Sequence, residues 1–257
     1  MAKIKLYGLV GKNISYSFSA EYFNSKFKKE RISNSEYINF DIDTVSEFAK
    51  ILEHNHNLNG LNVTIPYKQA IIPYLDSLSK KAIQIGAVNT IKINKKGKLK
   101  GYNTDWYGFY KALSPMLKSH HTKALILGTG GASKAIEFAL KKMRIDYNLV
   151  SRTSQENVYS YKQLTKEIME QHTIIINTTP LGTFPNIEDS PEIPYNYITP
   201  NHIAFDLIYN PEITSFLKLA ALNGAQTQNG YLMLQLQAEK AWKIWNKKSF
   251  IPNLSRD

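Results

Sequence analysis

Lys123-Ala124-Leu125-Ile126-Leu127-Gly128-Thr129-Gly130-Gly131-Ala132-Ser133 decides the fold. A short apolar run of the kind buried on both faces of a parallel sheet passes into a glycine turn, and Ala132 then opens a helical run through residue 142. Strand, tight glycine turn and helix, in that order, aim backbone N–H groups and a helix N-terminus at a pyrophosphate. Gly128, Thr129, Gly130, Gly131 and Ala132 are therefore the candidate cradle, with Ser133 where the full G-x-G-x-x-G pattern has its last glycine.

Beyond the turn, strand and helix keep alternating: a strand over 147–151, a helix near 160–170, a strand over 173–177, and an apolar run over 203–207 before Tyr209-Asn210-Pro211. That alternation implies a parallel sheet with helices on both faces, a Rossmann-like doubly wound domain. An acidic residue after the second strand would take a ribose 2′-hydroxyl, whereas arginine suits a 2′-phosphate. Ser151-Arg152-Thr153 holds that place, so the pattern points to NADP (as NADPH in the reducing direction), although Glu156 nearby would repel a 2′-phosphate unless it points away.

Before the turn, residues 3–10 and 36–42 read as strands around a helix over 20–29 with Tyr22, Phe23 and Phe27 at helical spacing. Thr44 caps a helix through His54, and residues 60–65 form a third strand that Pro66 ends, placing Lys68 at a strand-to-helix junction. Residues 87–93 and 98–102 flank a hairpin turn with Gly97 at a positive φ. Asp105 leaves the end of that strand, a helix over 106–117 follows, and a long helix runs on from Tyr231. The expected architecture is two α/β units divided close to Asp105.

Composition limits the function. The 257 residues, 43% hydrophobic, can fill one large core or two modest ones, and no apolar run reaches the roughly 20 residues of a membrane helix. Without cysteine there is no disulfide or thiolate chemistry, and a cytoplasmic protein is expected. The net charge of +11 comes almost wholly from scattered lysines, some in pairs such as Lys28-Lys29 and Lys80-Lys81, and only Arg31, Arg144, Arg152 and Arg256 are arginine, against the preference of base readout for arginine. Neither a nucleic-acid nor a membrane partner is expected. No metal is implied: His54 and His56 sit among asparagines at a polar helix end, and His120-His121 reads as exposed between the two units.

Asn62-Val63-Thr64-Ile65-Pro66-Tyr67-Lys68 and Gly101-Tyr102-Asn103-Thr104-Asp105 carry the candidate chemistry. A lysine can give a proton to a reacting oxygen, and a carboxylate can hold that lysine in place. Together with Tyr7-Gly8-Leu9-Val10-Gly11, Ile14-Ser15-Tyr16-Ser17 and the run from Gly230 to Gln237, these stretches make the chain resemble the shikimate dehydrogenase family over nearly its whole length.

The resemblance implies reduction of 3-dehydroshikimate to shikimate with NADPH, on the route to chorismate and the aromatic amino acids. It implies a substrate-binding catalytic domain of residues 1–104 and 232–257 and an NADP-binding domain of residues 105–231. Lys68 and Asp105 would be catalytic, and Ser15, Ser17, Thr64, Asn89, Tyr209 and Gln237 would join them in binding a small-molecule substrate. Ser15 and Ser17 match the family's Ser-x-Ser pair for the carboxylate, with Tyr16 where histidine is common. Thr178, in Asn177-Thr178-Thr179-Pro180-Leu181-Gly182, together with Leu207 and Gly230, would lie near the ribose and nicotinamide. A monomer or homodimer is expected. The alternatives are a quinate/shikimate dehydrogenase using NAD and a non-catalytic ligand-binding member of the family.

Overall fold

The computed structural model describes residues 4–15 and 17–246; the expectations that rest on Lys3, Tyr16 and Arg256 lie outside them. The first unit contains β1 (Lys5–Gly11), α1 (Phe18–Lys29), β2 (Ser35–Asp41), α2 (Phe48–His54), β3 (Leu58–Val63), β4 (Ser77–Leu78), α3 (Lys80–Ile85), β5 (Thr90–Ile93) and β6 (Leu99–Tyr102). The strands form one sheet in the order β2-β1-β3-β5-β6-β4. β1 pairs in parallel with β2 and β3, whereas β5 runs antiparallel to β3 and β6. Alternation along β1 explains the layers. Leu6 and Val10 face one core with Phe48 and Ile51 of α2, and Tyr7 and Leu9 face the other with Phe23 and Phe27 of α1.

The second unit follows as α4 (Asp105–Leu113), β7 (Lys123–Leu127), α5 (Gly131–Met143), β8 (Asp146–Ser151), β9 (Val158–Ser160), α6 (Lys166–Gln171), β10 (Ile174–Asn177), β11 (Ile203–Asp206), α7 (Ser215–Leu222) and β12 (Gln226–Gln228), and after it comes α8 (Tyr231–Asn246). Its sheet is wholly parallel, in the order β12-β11-β10-β7-β8-β9. Ala124 and Ile126 of β7 pack toward α4 and α5, while Leu125 and Leu127 pack toward α6 and α7. Burial on both faces is why this strand reads as an unbroken apolar run. The fold is thus two α/β domains, the second Rossmann-like. Among the described residues, no helix is long and apolar enough to cross a membrane.

Several local expectations are corrected. The helix expected through residue 117 stops at Leu113 and continues as a single 3₁₀ turn, because Pro115 has no N–H to donate and its ring clashes with a preceding carbonyl. The helix expected near 160–170 resolves into β9, a 3₁₀ turn and α6, whose N-terminus Thr165 caps by accepting from the Ile168 N–H at 3.4 Å. Lys68 meets no helix; residues 65–71 form successive turns that end in a 3₁₀ turn at Ile72–Tyr74. His121 is buried, its ring accepting from the Lys118 N–H at 2.8 Å and pairing with the Asn201 carbonyl at 3.1 Å.

Helix α8 ties the two units together. Met233 belongs to the core under α4 and α5, whereas Ala238, Ala241 and Trp245 belong to the core under α1. Where α8 crosses α4 the backbones nearly touch: a Cβ on Gly108 would lie 2.5 Å from the Met233 carbonyl oxygen and 3.1 Å from Gln237 Cβ. Alanine is normally better than glycine in a helix by about 1 kcal/mol. Gly108→Ala is nevertheless expected to destabilise the protein by about 1–3 kcal/mol through overpacking. Denaturant unfolding of the variant and the parent checks the sign.

Candidate active site

Strand ends from both units open onto one cavity of about 380 Å³. Lys68 and Asp105 meet in it, with the ammonium Nζ 2.7 Å from Asp105 Oδ2 and their side chains only 14% and 9% exposed. Asp105 is fixed on its other side, where Oδ1 accepts from Asn89 Nδ2 at 2.8 Å. It also opens α4, where the helix dipole favours a negative charge. Lys68 is held through its backbone, its carbonyl accepting from the Val88 N–H at 2.7 Å.

A buried polar network supports the pair. Asn89 Oδ1 accepts from the Thr104 N–H at 2.7 Å, and Gln237 Oε1 accepts from Asn89 Nδ2 at 3.3 Å and from the Thr104 hydroxyl at 3.2 Å. Asn62 extends the chain by donating to Thr90 Oγ1 at 3.2 Å and accepting from the Tyr37 phenol at 2.9 Å. Each group thereby has partners in an apolar surround, as burial demands. Burial raises the Tyr37 pKa well above the usual phenol value, against the lowering effect of a side-chain hydrogen bond with Ser19, so this group is a neutral donor.

Thr64, Asn89, Tyr209 and Gln237 line the cavity with the Lys68–Asp105 pair, as does Ser17. Ser15 does not. It is exposed, and the second serine brought to the lining is Ser19. The sequence Ser15-Tyr16-Ser17-Phe18-Ser19 offers two overlapping Ser-x-Ser pairs, and the fold selects the later one because α1 begins at Phe18. Ser17 becomes the N-cap, accepting from the Ser19 N–H at 3.4 Å, and Ser15 is left in the turn before it. Asn62, Thr104 and Asn103, whose Oδ1 accepts from the Asp105 N–H at 3.1 Å, were also missed as supports. Their place in the same quoted stretches as Lys68 and Asp105 was the available signal.

On the other side of the cavity lie Ala132, Thr178, Leu207 and Gly230. The glycine turn stands close behind Lys68: a Cβ on Gly131 would lie 3.4 Å from Lys68 Cβ. Gly128 has φ +105°, and a Cβ there would lie 2.8 Å from Thr178 Oγ1. A side chain at Gly130, by contrast, would meet only open space. The first N–H groups of the 13-residue α5 have no intrahelical partners. This combination of room and unpaired donors fits a dinucleotide pyrophosphate. Thr129 belongs to the same turn, while Ser151, Arg152 and Thr153 follow at the end of β8, outside the cavity lining. Arg152 and Thr153 are exposed, and Ser151 Oγ donates to the Thr153 carbonyl at 2.7 Å. Glu156 is exposed in the turn that the Gln155–Val158 bridge closes.

Asp206, fully buried at the end of β11, is an unanticipated titratable group in this half. Desolvation raises its pKa from 3.8 to about 6, against the lowering effect of hydrogen bonds from Thr214, Ile208 and Asn177. With its folded pKa above the unfolded one, the folded state binds the extra proton, and the stability this group confers is present below about pH 4 and lost as pH rises to about 6. Asp206→Asn, a neutral mimic, is therefore expected to match the parent at pH 4 and exceed it at pH 8 by up to about 3 kcal/mol. Paired melting curves at the two pH values check this.

Fold and site define a two-domain α/β oxidoreductase with a nucleotide-binding half. Residues 9–91 match the family described as the shikimate dehydrogenase substrate binding domain. The chain is 38% identical over 248 residues to the shikimate dehydrogenase (NADP(+)) of Clostridium botulinum (strain Hall), covering 93% of this chain and 95% of that one. A crystal structure of a shikimate dehydrogenase in complex with NADP+ superposes with a TM-score of 0.84 at 34% identity, covering 95% of this chain and 90% of that one. Quinate dehydrogenase from Corynebacterium glutamicum in complex with NAD superposes with a TM-score of 0.82 at 25% identity, covering 95% and 94%. The chain belongs to the shikimate dehydrogenase family, and its activity is that of a shikimate/quinate-type dehydrogenase.

Proposed function

We propose that this protein catalyses the NADPH-dependent, reversible reduction of 3-dehydroshikimate to shikimate, a step toward chorismate and the aromatic amino acids. The observation that carries the reading is the 2.7 Å Lys68–Asp105 pair in a cavity lined by both domains. A bound reduced nicotinamide supplies the hydride to the substrate's carbonyl carbon. Lys68 donates its ammonium proton to the carbonyl oxygen, which becomes the hydroxyl, and takes a proton back in the reverse direction. Asp105 holds the ammonium in place. Asn89 fixes Asp105, Gln237 braces Asn89 and Thr104, and both present further polar atoms to substrate hydroxyls. The paired hydroxyls of Ser17 and Ser19 at the start of α1 suit the substrate carboxylate.

The domain division we propose is 1–104 with 232–257 for substrate and 105–231 for the dinucleotide. Thr178, Leu207 and Gly230 would border the nicotinamide end, and Gly128 to Ala132 would cradle the pyrophosphate. Arg152, flanked by Ser151 and Thr153, would meet the 2′-phosphate. Arg152→Ala is expected to raise the KM for NADP+ about tenfold, the low end for a charge-assisted contact because the side chain is exposed, and to leave the KM for NAD+ unchanged. Initial rates with both nucleotides check it. Equal effects on the two would remove Arg152 from 2′-phosphate recognition.

Glu156 favours a second reading, a quinate/shikimate dehydrogenase using NAD. Higher kcat/KM with NAD+ and quinate than with NADP+ and shikimate would establish it. A binding-only member of the family would bind ligand without turnover, and the contact between Lys68 and Asp105 speaks against that.

A further inference from the structure

The carboxylate of Asp206 joins three separate segments. Its Oδ1 accepts from the Ile208 N–H at 3.0 Å and from Asn177 Nδ2 at 3.1 Å, and its Oδ2 accepts from the Thr214 hydroxyl at 2.6 Å. Asn177 passes the restraint on, its Oδ1 accepting from the Thr179 N–H at 3.0 Å and the Thr179 hydroxyl at 2.6 Å. Thr214 caps α7 by accepting from the Leu217 N–H at 3.3 Å. The turns after β10 and β11 carry Thr178, Thr179, Leu207, Ile208 and Tyr209, all of which line the cavity.

We propose that Asp206 is a positioning residue for the dinucleotide half of the cavity, locking the loops after β10 and β11 into the arrangement that receives the nicotinamide end. The proposal rests on the reading that this cavity takes a nicotinamide dinucleotide. Three donors converge on Asp206, and an ionised carboxylate accepts from all of them while presenting no donor of its own. An amide would turn an NH2 group toward at least one donor.

Burial makes this arrangement costly, since desolvation pushes the carboxyl's pKa up. A group chosen only for stability would not be charged here. A buried, destabilising charge that fixes two lining loops is the pattern of a residue kept for function.

The test compares the whole parent enzyme with Asp206→Asn and Thr214→Val, the second removing one donor while leaving the carboxylate. Dinucleotide affinity is read from binding titrations with NADPH, and kcat and both KM values from initial rates with shikimate and NADP+. For Asp206→Asn the expected result is dinucleotide affinity weakened about tenfold as the lining loops loosen, with a smaller rise in the shikimate KM because Tyr209 rides on the same loop, and the melting temperature at pH 8 not lowered. Thr214→Val should show a smaller shift of the same kind. Unchanged dinucleotide affinity in both variants would overturn the proposal, and so would parallel losses for both ligands with a lower melting temperature, which mark a structural role. A parent protein that binds neither NADPH nor NADH would instead overturn the underlying reading, and the proposal with it.

Discussion

Lys68→Ala is expected to lower kcat by about 10²–10⁴-fold while changing the KM for shikimate only a few-fold. The ammonium lies in the cavity with its side chain 14% exposed, so bulk water has little access to replace it as the proton donor. Its contribution grows as negative charge develops on the carbonyl oxygen, so its loss falls on the transition state. The backbone contact from Val88 to the Lys68 carbonyl survives the substitution, and the turn that carries residue 68 should keep its course. Steady-state rates with shikimate and NADP+, alongside NADPH binding to show an intact dinucleotide half, separate this outcome from misfolding. A kcat within twofold of the parent would remove Lys68 from catalysis.

Asp105→Asn should cost about 100-fold in kcat, the upper range for losing a charged hydrogen bond in a buried setting. The amide keeps the size of the carboxylate but not its charge, so Lys68 loses the partner 2.7 Å away that holds it in place. Asn89 Nδ2, which donates to Asp105 Oδ1 at 2.8 Å, would face either an oxygen or an unfavourable NH2 group. If Asp105 acts through Lys68, combining Asp105→Asn with Lys68→Ala should lose little more than Lys68→Ala alone. Full multiplicative loss in the double variant would show that the two side chains act separately.

The dinucleotide half was legible because its signals are local. β7 alternates between two buried faces, Gly128 follows it at once, and α5 begins within three residues, so one contiguous stretch specifies the turn. The substrate half was legible in its chemistry and less so in its register. Lys68 and Asp105 are brought together by β5 and the hairpin between them, a pairing that residue types suggest and only the tertiary fold establishes. The Ser-x-Ser pair at the cavity lining lies two residues later than the one expected because the sequence repeats with period two, and the start of α1 breaks the repeat.

Other elements left no readable trace. β4 and β12, of two and three residues, exist only through their pairing with β6 and β11. Asp206 looks like an ordinary strand-end aspartate. Its burial and its three donors come from segments as far apart as Asn177 and Thr214, so no local pattern announces it. His121 misled for the same reason, since the Asn201 carbonyl that its ring meets lies 80 residues away.

The most direct test of the account is the initial rate of nicotinamide reduction by the purified protein with shikimate and NADP+, followed by absorbance of the reduced nicotinamide. A rate that needs both ligands and saturates in each is expected. No rate above background with NADP+ or NAD+, from a protein that still binds the nucleotide, would contradict it.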